Sequence, residues 1–202
     1  MHSIMERYAK GKLSLWDLPT VYEWEFDTAV PEGFPKSRFC KDMRKLYYEQ
    51  GLTFLNNFQG YDDCEILGVE ETFDYPIDDW IFTGVIDLVF RDKNGKLIVQ
   101  DYKSKAAFKN KAEQAEYARQ LFLYSLHVKV KYGQYPDTLR FMMFRKENTI
   151  DIPFREEGVI EAVDWAKATV GAIRSCEDFS PACDEFFAEN LCNHREYCDN
   201  KI

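Results

Sequence analysis

A short turn sequence in the middle of the chain constrains the fold most strongly. Residues 92–96 read DKNGK and separate two apolar runs, residues 81–90 and 97–102. Asn-Gly between two such runs is among the strongest local signals for a β-hairpin, because both residues tolerate the positive φ angles of a tight turn. The sequence therefore predicts two neighbouring antiparallel strands at this point.

Hydrophobic periodicity divides the rest of the chain into helices and further strands. Helices are predicted at residues 2–10, 13–26, 37–58, 112–132 and 156–173. Further strands are predicted at residues 65–73, 139–145 and 149–154. We expect Pro19 to interrupt the second helix, Ser37 to cap the third and Gly133 to end the fourth. This order predicts an α/β (α+β) fold with a central mixed β-sheet flanked by helices.

Composition describes a folded, acidic protein. Of the 202 residues 46% are hydrophobic, and the mean hydropathy of -0.46 is typical of a soluble chain. No apolar run approaches the ~18 residues of a membrane helix, and the first residues lack the apolar core of a signal sequence. We therefore expect a cytoplasmic protein without a membrane partner. The length predicts one main domain, residues 1–175, followed by a cysteine-containing tail, residues 176–202.

The net charge of -9 argues against a protein that coats nucleic acid through bulk charge. It leaves open an enzyme that grips nucleic acid at one local basic patch. Candidates for that patch are Lys105, Lys109, Lys111 and Arg119. The alternative for these residues is an ordinary solvated surface.

Two carboxylates and a lysine interrupt the apolar strands of the predicted hairpin. Asp87 lies in one strand, and Asp101 and Lys103 end the next, where strand alternation puts the latter two on one face. A buried carboxylate is costly unless it is paired or bound to a cation. The two aspartates and the carbonyl of Tyr102 could hold Mg²⁺ or Mn²⁺, which prefer oxygen ligands. The alternative is a buried ion pair with a purely structural role.

These residues resemble a known family. Asp87, the sequence Asp101-Tyr102-Lys103, and Gln120 with Tyr124 on the following helix resemble the PD-(D/E)XK nuclease superfamily. They are most similar to its RecB-like branch, which includes nuclease domains of bacterial recombination helicases and CRISPR-associated and phage exonucleases. The resemblance extends from residue 1 to about residue 124.

The resemblance implies a restriction-endonuclease-like core and a metal site. It implies that the N-terminal pattern His2-x-x-x-Glu6 supplies His2 as a further metal ligand. The expected metal ligands are His2, Asp87, Asp101 and the Tyr102 carbonyl. The expected catalytic residues are Asp87, Asp101, Lys103, Gln120 and Tyr124. Either Glu70 or Glu71, on the first strand, is expected to face the site as an additional acid.

The resemblance also implies a function. It implies a metal-dependent DNA nuclease, an exonuclease on DNA ends or single strands that works in phage or bacterial recombination or repair. Its partners would be DNA and recombination or repair proteins, in a bacterial or phage-infected cell. The alternative is a catalytically inactive nuclease-fold module for DNA binding or assembly.

The cysteines near the C-terminus bear on a second cofactor. Iron–sulfur members of the branch have a cysteine in a stretch before the histidine and three more near the C-terminus, whereas this chain begins directly before His2. Cys192 and Cys198 resemble that ending, but Ala188 stands where another cysteine is expected. Cys176 and Cys183 could substitute, although their spacing does not require it. We therefore expect no iron–sulfur cluster.

Overall fold

The computed structural model describes residues 1–30, 33–34, 40–178, 187–188 and 192. Its centre is a five-stranded sheet in which the strands lie side by side in chain order. The strands are β1 (Glu65–Ile77), β2 (Trp80–Arg91), β3 (Leu97–Lys103), β4 (Thr138–Met143) and β5 (Asn148–Pro153). Strands β3 and β4 run parallel and the other neighbours are antiparallel, so the predicted mixed sheet is confirmed.

Helices cover both faces of the sheet. They are α1 (His2–Ala9), α2 (Leu18–Ala29), α3 (Met43–Asn57), α4 (Lys111–Tyr132) and α5 (Glu156–Arg174). Helices α1 to α3 form one hydrophobic core with the sheet, and α4 and α5 form another on the opposite face. The predicted α/β class with helices flanking the sheet is confirmed. No helix in the described part of the chain is long and apolar enough to cross a bilayer.

The predicted hairpin joins β2 to β3. A carboxylate oxygen of Asp92 accepts hydrogen bonds from the amides of Asn94, at 2.8 Å, and Lys96, at 2.9 Å. Gly95 has a φ of 78°, which its missing side chain permits. Arg91 then pairs with Leu97, so the turn fixes the register in which the two strands meet.

Helix α4 connects the two parallel strands, because a parallel pair needs a long crossover. The Asn110 side chain caps its start by accepting a hydrogen bond from the amide of Glu113 at 2.9 Å. Gly133, with a φ of 77°, ends it as predicted. The crossover places α4 over the ends of β2 and β3, where Asp87, Asp101 and Lys103 lie.

Two predicted helix features are wrong. Helix α3 begins at Met43 and not at residue 37, and its cap is Asp42, whose side chain accepts a hydrogen bond from the amide of Lys45 at 2.8 Å. Ser37 lies outside the described residues. Pro19 does not interrupt α2 but lies in its first turn, where a missing N–H costs nothing. Strand β4 also ends earlier than predicted, at Met143, because a short 3₁₀ turn follows.

Helices α4 and α5 pack closely because α5 has a glycine at the contact. A Cβ added to Gly158 would lie 2.4 Å from a ring carbon of Phe122 on α4. Such a distance is far below van der Waals contact, so the ring or the helix would have to move. A Cβ added to Gly171, later in the same helix, would lie more than 4 Å from every described residue outside its own stretch of helix.

We expect Gly158→Ala to lower the free energy of unfolding by about 1–3 kcal/mol, because the added methyl group forces α5 away from Phe122. The matched Gly171→Ala variant should instead gain about 0.5–1 kcal/mol, because alanine favours a helix over glycine. Urea denaturation of the two variants and the parent measures both effects. Equal effects of the two substitutions would show that the contact between the helices is not tight.

Candidate active site

The sheet opens between β2 and β3 where Asp87 and Asp101 lie. The ladder between these strands ends at the pair Leu88–Gln100, so the two aspartates are the next facing pair along the strands. Beyond this point β2 pairs only with β1, and β3 pairs only with β4. The side chain of Asp87 enters the opening and accepts a hydrogen bond from the Tyr102 amide at 2.7 Å. The Asp87 carboxylate therefore accepts the hydrogen bond that a backbone carbonyl of β2 would accept from the Tyr102 amide if the ladder continued.

Asp101 is the most deeply buried charged group of this site. Its side chain is 7% exposed, and its Oδ2 lies 2.8 Å from the ammonium of Lys103. Apart from this ion pair, Oδ2 has no hydrogen-bond partner in the described part of the chain. Burial, helped by the negative charge of Asp87, raises the pKa of Asp101 to about 6 against the opposing effect of Lys103.

The direction of this pKa shift bears on the structural alternative. An ion pair that stabilised the fold would lower the pKa of its carboxyl group below the ordinary value. The pKa of Asp101 lies above it, and burial also raises the pKa of Asp87 although the Tyr102 amide donates to it. Burial of both carboxylates in their ionised form thus costs free energy, which is a common property of functional sites.

Helix α4 holds the lysine of the site in place. Lys103 donates a hydrogen bond to the side-chain oxygen of Gln120 at 3.2 Å, and the Gln120 amide donates to the Tyr124 hydroxyl at 2.5 Å. The structure therefore brings together four of the residues predicted from the sequence, in one connected row from Asp101 to Tyr124. The two helical residues lie one turn apart, which lets both reach the end of β3.

Gly84 explains why the ring of Tyr124 can lie against β2. A Cβ at Gly84 would be 2.9 Å from a ring carbon of Tyr124 and 2.7 Å from the ring of Phe73. A larger residue at this position would push Tyr124 and α4 away from the site. Sequence reasoning gave this glycine no role, because its neighbour on α4 is forty residues away in the chain.

His2 reaches the site from the start of α1. Its Nε2 lies 2.8 Å from the carbonyl oxygen of Tyr102, and its ring meets the ring of Phe144 edge-on. Because a carbonyl oxygen only accepts, this hydrogen bond requires the tautomer with the proton on Nε2, and in that tautomer Nε2 cannot bind a metal. Two of the four expected metal ligands are thus hydrogen-bonded to each other.

Glu70 is the further acid at the site. Val69 pairs with Leu88 and Glu71 with Ile86, so Glu70 stands opposite Asp87 on β1. Its φ of 48° is unusual for a residue other than glycine inside a strand. Burial, and next the charges of Asp87 and Glu6, raise the pKa of Glu70.

Glu71 does not belong to this group of acids. Its carboxylate accepts a hydrogen bond from the Tyr132 hydroxyl at 2.7 Å and also contacts His127 and Lys131, all on α4. His127 stacks on the ring of Phe73. These contacts join β1 to α4 and use the whole carboxylate within the fold.

The oxygen atoms at the opening fit a hard divalent cation. No three His, Cys, Asp or Glu side chains among the described residues form a metal-binding group by themselves. Mg²⁺ and related cations commonly use only one or two carboxylates and complete their shell with water and substrate phosphate. Asp87, Asp101, whose Oδ2 is paired only with Lys103 among the described residues, and the Tyr102 carbonyl provide such a partial set.

The basic residues near the site differ in whether their charge is already paired within the fold. Lys105 makes an ion pair with Glu113 at 2.7 Å and lies 4.5 Å from the centre of the Tyr117 ring. Lys109 and Lys111 are exposed and make no ion pair with any described residue. The guanidinium of Arg119 lies 5.1 Å above the ring of Trp165 on α5. Trp165 is a site neighbour that the sequence analysis missed.

Two of the four C-terminal cysteines lie within the described residues. Cys176 and Cys192, like Cys40 and Cys64, form no disulfide with any cysteine that the structure describes. Cys183 and Cys198 lie outside the described residues, so the expected absence of an iron–sulfur cluster remains a prediction.

Comparisons with known proteins concern the family and the fold of the chain. The family model of the PD-(D/E)XK nuclease superfamily matches residues 1–199. A search of curated proteins found no match. Among solved structures, the chain is similar to a protein from Eubacterium rectale described as a candidate exonuclease, with 14% identity, a TM-score of 0.51, and coverage of 99% of this chain and 73% of that one.

A second solved structure, that of SSO0001, matches with 16% identity and a TM-score of 0.35, covering 78% of this chain and 68% of that one. The likeness to the Eubacterium rectale protein concerns the fold, since the identity is low. The family match extends over almost the whole chain and includes both opposed aspartates and the lysine after them. The chain belongs to the PD-(D/E)XK nuclease superfamily.

Proposed function

We propose that the protein is a Mg²⁺- or Mn²⁺-dependent deoxyribonuclease of the RecB-like type, acting as an exonuclease on DNA ends or single strands. The observation that carries the proposal is the opening between β2 and β3. There Asp87 and Asp101 face each other, and Lys103 lies 2.8 Å from Asp101. The family match supports the same reaction class, and so does the similar fold of the Eubacterium rectale protein that is described as a candidate exonuclease.

The residues of the opening have separable tasks. Asp87, Asp101 and the Tyr102 carbonyl would hold the metal, which when bound polarises the phosphate and lowers the pKa of a water molecule. Lys103 is placed to orient that water or to stabilise the charge that builds on the phosphate. Gln120 fixes the lysine by accepting its hydrogen bond at 3.2 Å. Glu70, opposite Asp87, is placed to take a proton or to bind a further water.

We place this activity in DNA recombination or repair in the cytoplasm of a bacterial or phage-infected cell, where recombination or repair proteins would be its partners. The resemblance of the site to the RecB-like branch supports this role. DNA is the expected substrate.

The direct test uses single-stranded DNA labelled at either end, the matching duplex, and a closed single-stranded circle. With Mn²⁺ or Mg²⁺ we expect linear DNA to be degraded, and with EDTA all substrates should stay intact. An exonuclease needs an end, so the circle should be spared, and the two labels report the direction of cleavage. Folded protein that cuts none of these substrates with either metal would favour the inactive nuclease-fold module.

We expect Asp101→Asn to lower the rate of cleavage by about 100-fold or more, because it removes a metal ligand and the charge beside Lys103. Its Tm should stay within about 4 °C of the parent, because burying the ionised carboxylate costs free energy. Asp63→Asn, an exposed aspartate outside the site, is the matched control and should cut like the parent. A drop in Tm of about 10 °C would instead support the structural ion pair.

The pKa of Asp101 also predicts how stability depends on pH. Its folded value of about 6 is above the ordinary 3.8, so the folded state binds the proton more tightly than the unfolded chain. The stability from this group is therefore complete below the unfolded pKa and is lost as the pH rises through about 6. Relative to Asp101→Asn, the parent in EDTA should lose roughly 1 kcal/mol between about pH 5 and about pH 7.5.

Urea denaturation at several pH values measures this difference, and Asp63→Asn should follow the curve of the parent. If the parent and Asp101→Asn kept a constant difference over the whole range, the raised pKa that burial gives Asp101 would be contradicted.

A further inference from the structure

A cleft between α4, α5 and β2 lies directly beside the proposed active site. It has a volume of 530 Å³, which is within the range of small-molecule sites. The residues that matter for its chemistry are Phe82, Tyr117, Arg119, Gln120, Tyr124 and Trp165. We call it the aromatic cleft. Gln120 and Tyr124 line the cleft and also belong to the row of residues that begins at Asp101, so the two sites are continuous.

The walls of this cleft suit a flat, uncharged group. Four of the named residues present aromatic rings, and Leu123 adds an aliphatic wall. The carboxylate of Glu116 at the rim would repel a phosphate that entered. A nucleobase is flat and neutral, and stacking on aromatic rings is how proteins hold unpaired bases.

The outer edge of the cleft has the features of a stacking platform. Trp165 is 43% exposed although it lies on a helix that packs against the core. The guanidinium of Arg119 covers its ring at 5.1 Å, and in the described part of the chain this guanidinium makes no ion pair. Both groups are planar, and the unpaired cation can still attract a phosphate.

A second cleft continues from this edge. It shares Arg119 and Trp165 with the aromatic cleft and extends to Lys111 and Arg155. Arg155 is already ion-paired with Glu161, which also lines this cleft, whereas Lys111 makes no ion pair with any described residue. A strand whose bases enter the aromatic cleft would thus meet Arg119 and Lys111 as cations free to contact its backbone. Such a series of stacking groups and cations is typical of single-strand binding surfaces.

We propose that the aromatic cleft binds an unstacked base of single-stranded DNA next to the phosphodiester at Asp101 and Lys103, with Trp165 as its stacking platform. This inference rests on the proposed function, because it places the strand by the cutting site. A paired base in a duplex cannot leave its stack without cost, so the cleft gives the protein a preference for single strands.

The test measures binding in the Asp101→Asn background with Mg²⁺, where the DNA stays intact. Fluorescence anisotropy with labelled oligothymidine should show about ten-fold weaker binding after Trp165→Ala, and binding within about two-fold of the parent after Trp165→Phe. Trp16→Ala is the matched control, because Trp16 is 88% exposed and lies outside the cleft. Binding of a blunt duplex should change by less than about two-fold in all variants.

Oligonucleotides with one abasic position locate the base. In the Asp101→Asn background with Trp165 intact, removing the base at one position should weaken binding by about ten-fold. After Trp165→Ala, removing the base at that position should change the affinity little. Unchanged oligothymidine binding by Trp165→Ala, or equal losses for single strand and duplex, would overturn the proposal.

Cleavage distinguishes this proposal from the proposed function. If the protein cuts DNA but binding ignores Trp165, the aromatic cleft is not a base site while the nuclease assignment holds. If binding depends on Trp165 but no metal supports cleavage, the cleft proposal holds and the nuclease assignment fails. Circular dichroism melting of Trp165→Ala and Trp165→Phe checks that both variants are folded.

Discussion

The peptide group of Tyr102 is the interaction on which the site depends. Its amide donates to Asp87 at 2.7 Å, and its carbonyl receives a hydrogen bond from His2 at 2.8 Å. Its side chain lies buried on the other face of the sheet, where its hydroxyl contacts that of Tyr61 at 2.8 Å. One residue thus fixes the carboxylate of β2, the first helix and the core. Because the ladder between β2 and β3 stops just before it, the sheet can open here without leaving the Tyr102 amide unpaired.

The residues of the site that cost the fold free energy lie at the opening between β2 and β3. Burial raises the pKa values of Asp87, Asp101 and Glu70, and Glu70 has a positive φ. Strain and buried charge of this kind are expected where function, not stability, has selected the residues. The rest of the sheet follows ordinary rules, with apolar strands between two layers of helices.

Much of this arrangement could be predicted from local sequence. Gly95 marks the hairpin, Gly133 ends α4, and strand alternation puts Asp101 and Lys103 on one face of β3, because each of these signals depends on a few neighbouring residues. The start of α3 could not be predicted in this way. Ser37 and Asp42 are both good caps, and packing of α3 against α2, where the Tyr22 hydroxyl donates to the Tyr47 carbonyl at 3.0 Å, is not visible in a short window.

The same distinction between local signals and long-range contacts applies to the residues of the site. Asp87 and Lys103 could be predicted because the hairpin makes their strands neighbours. The additional acid could be predicted only as either Glu70 or Glu71, since which of them faces the site depends on the register between β1 and β2. Trp165 was missed because it reaches Arg119 through the close packing of α5 on α4 at Gly158, a contact between distant parts of the chain.

The central claim is that the opening between β2 and β3 holds a divalent cation. Calorimetric titration of the parent with Mn²⁺ tests it without any substrate. We predict saturable binding in the parent and in Asp63→Asn, and at least about ten-fold weaker binding in Asp87→Asn and in Asp101→Asn. Equal Mn²⁺ affinity in all four proteins would contradict the account.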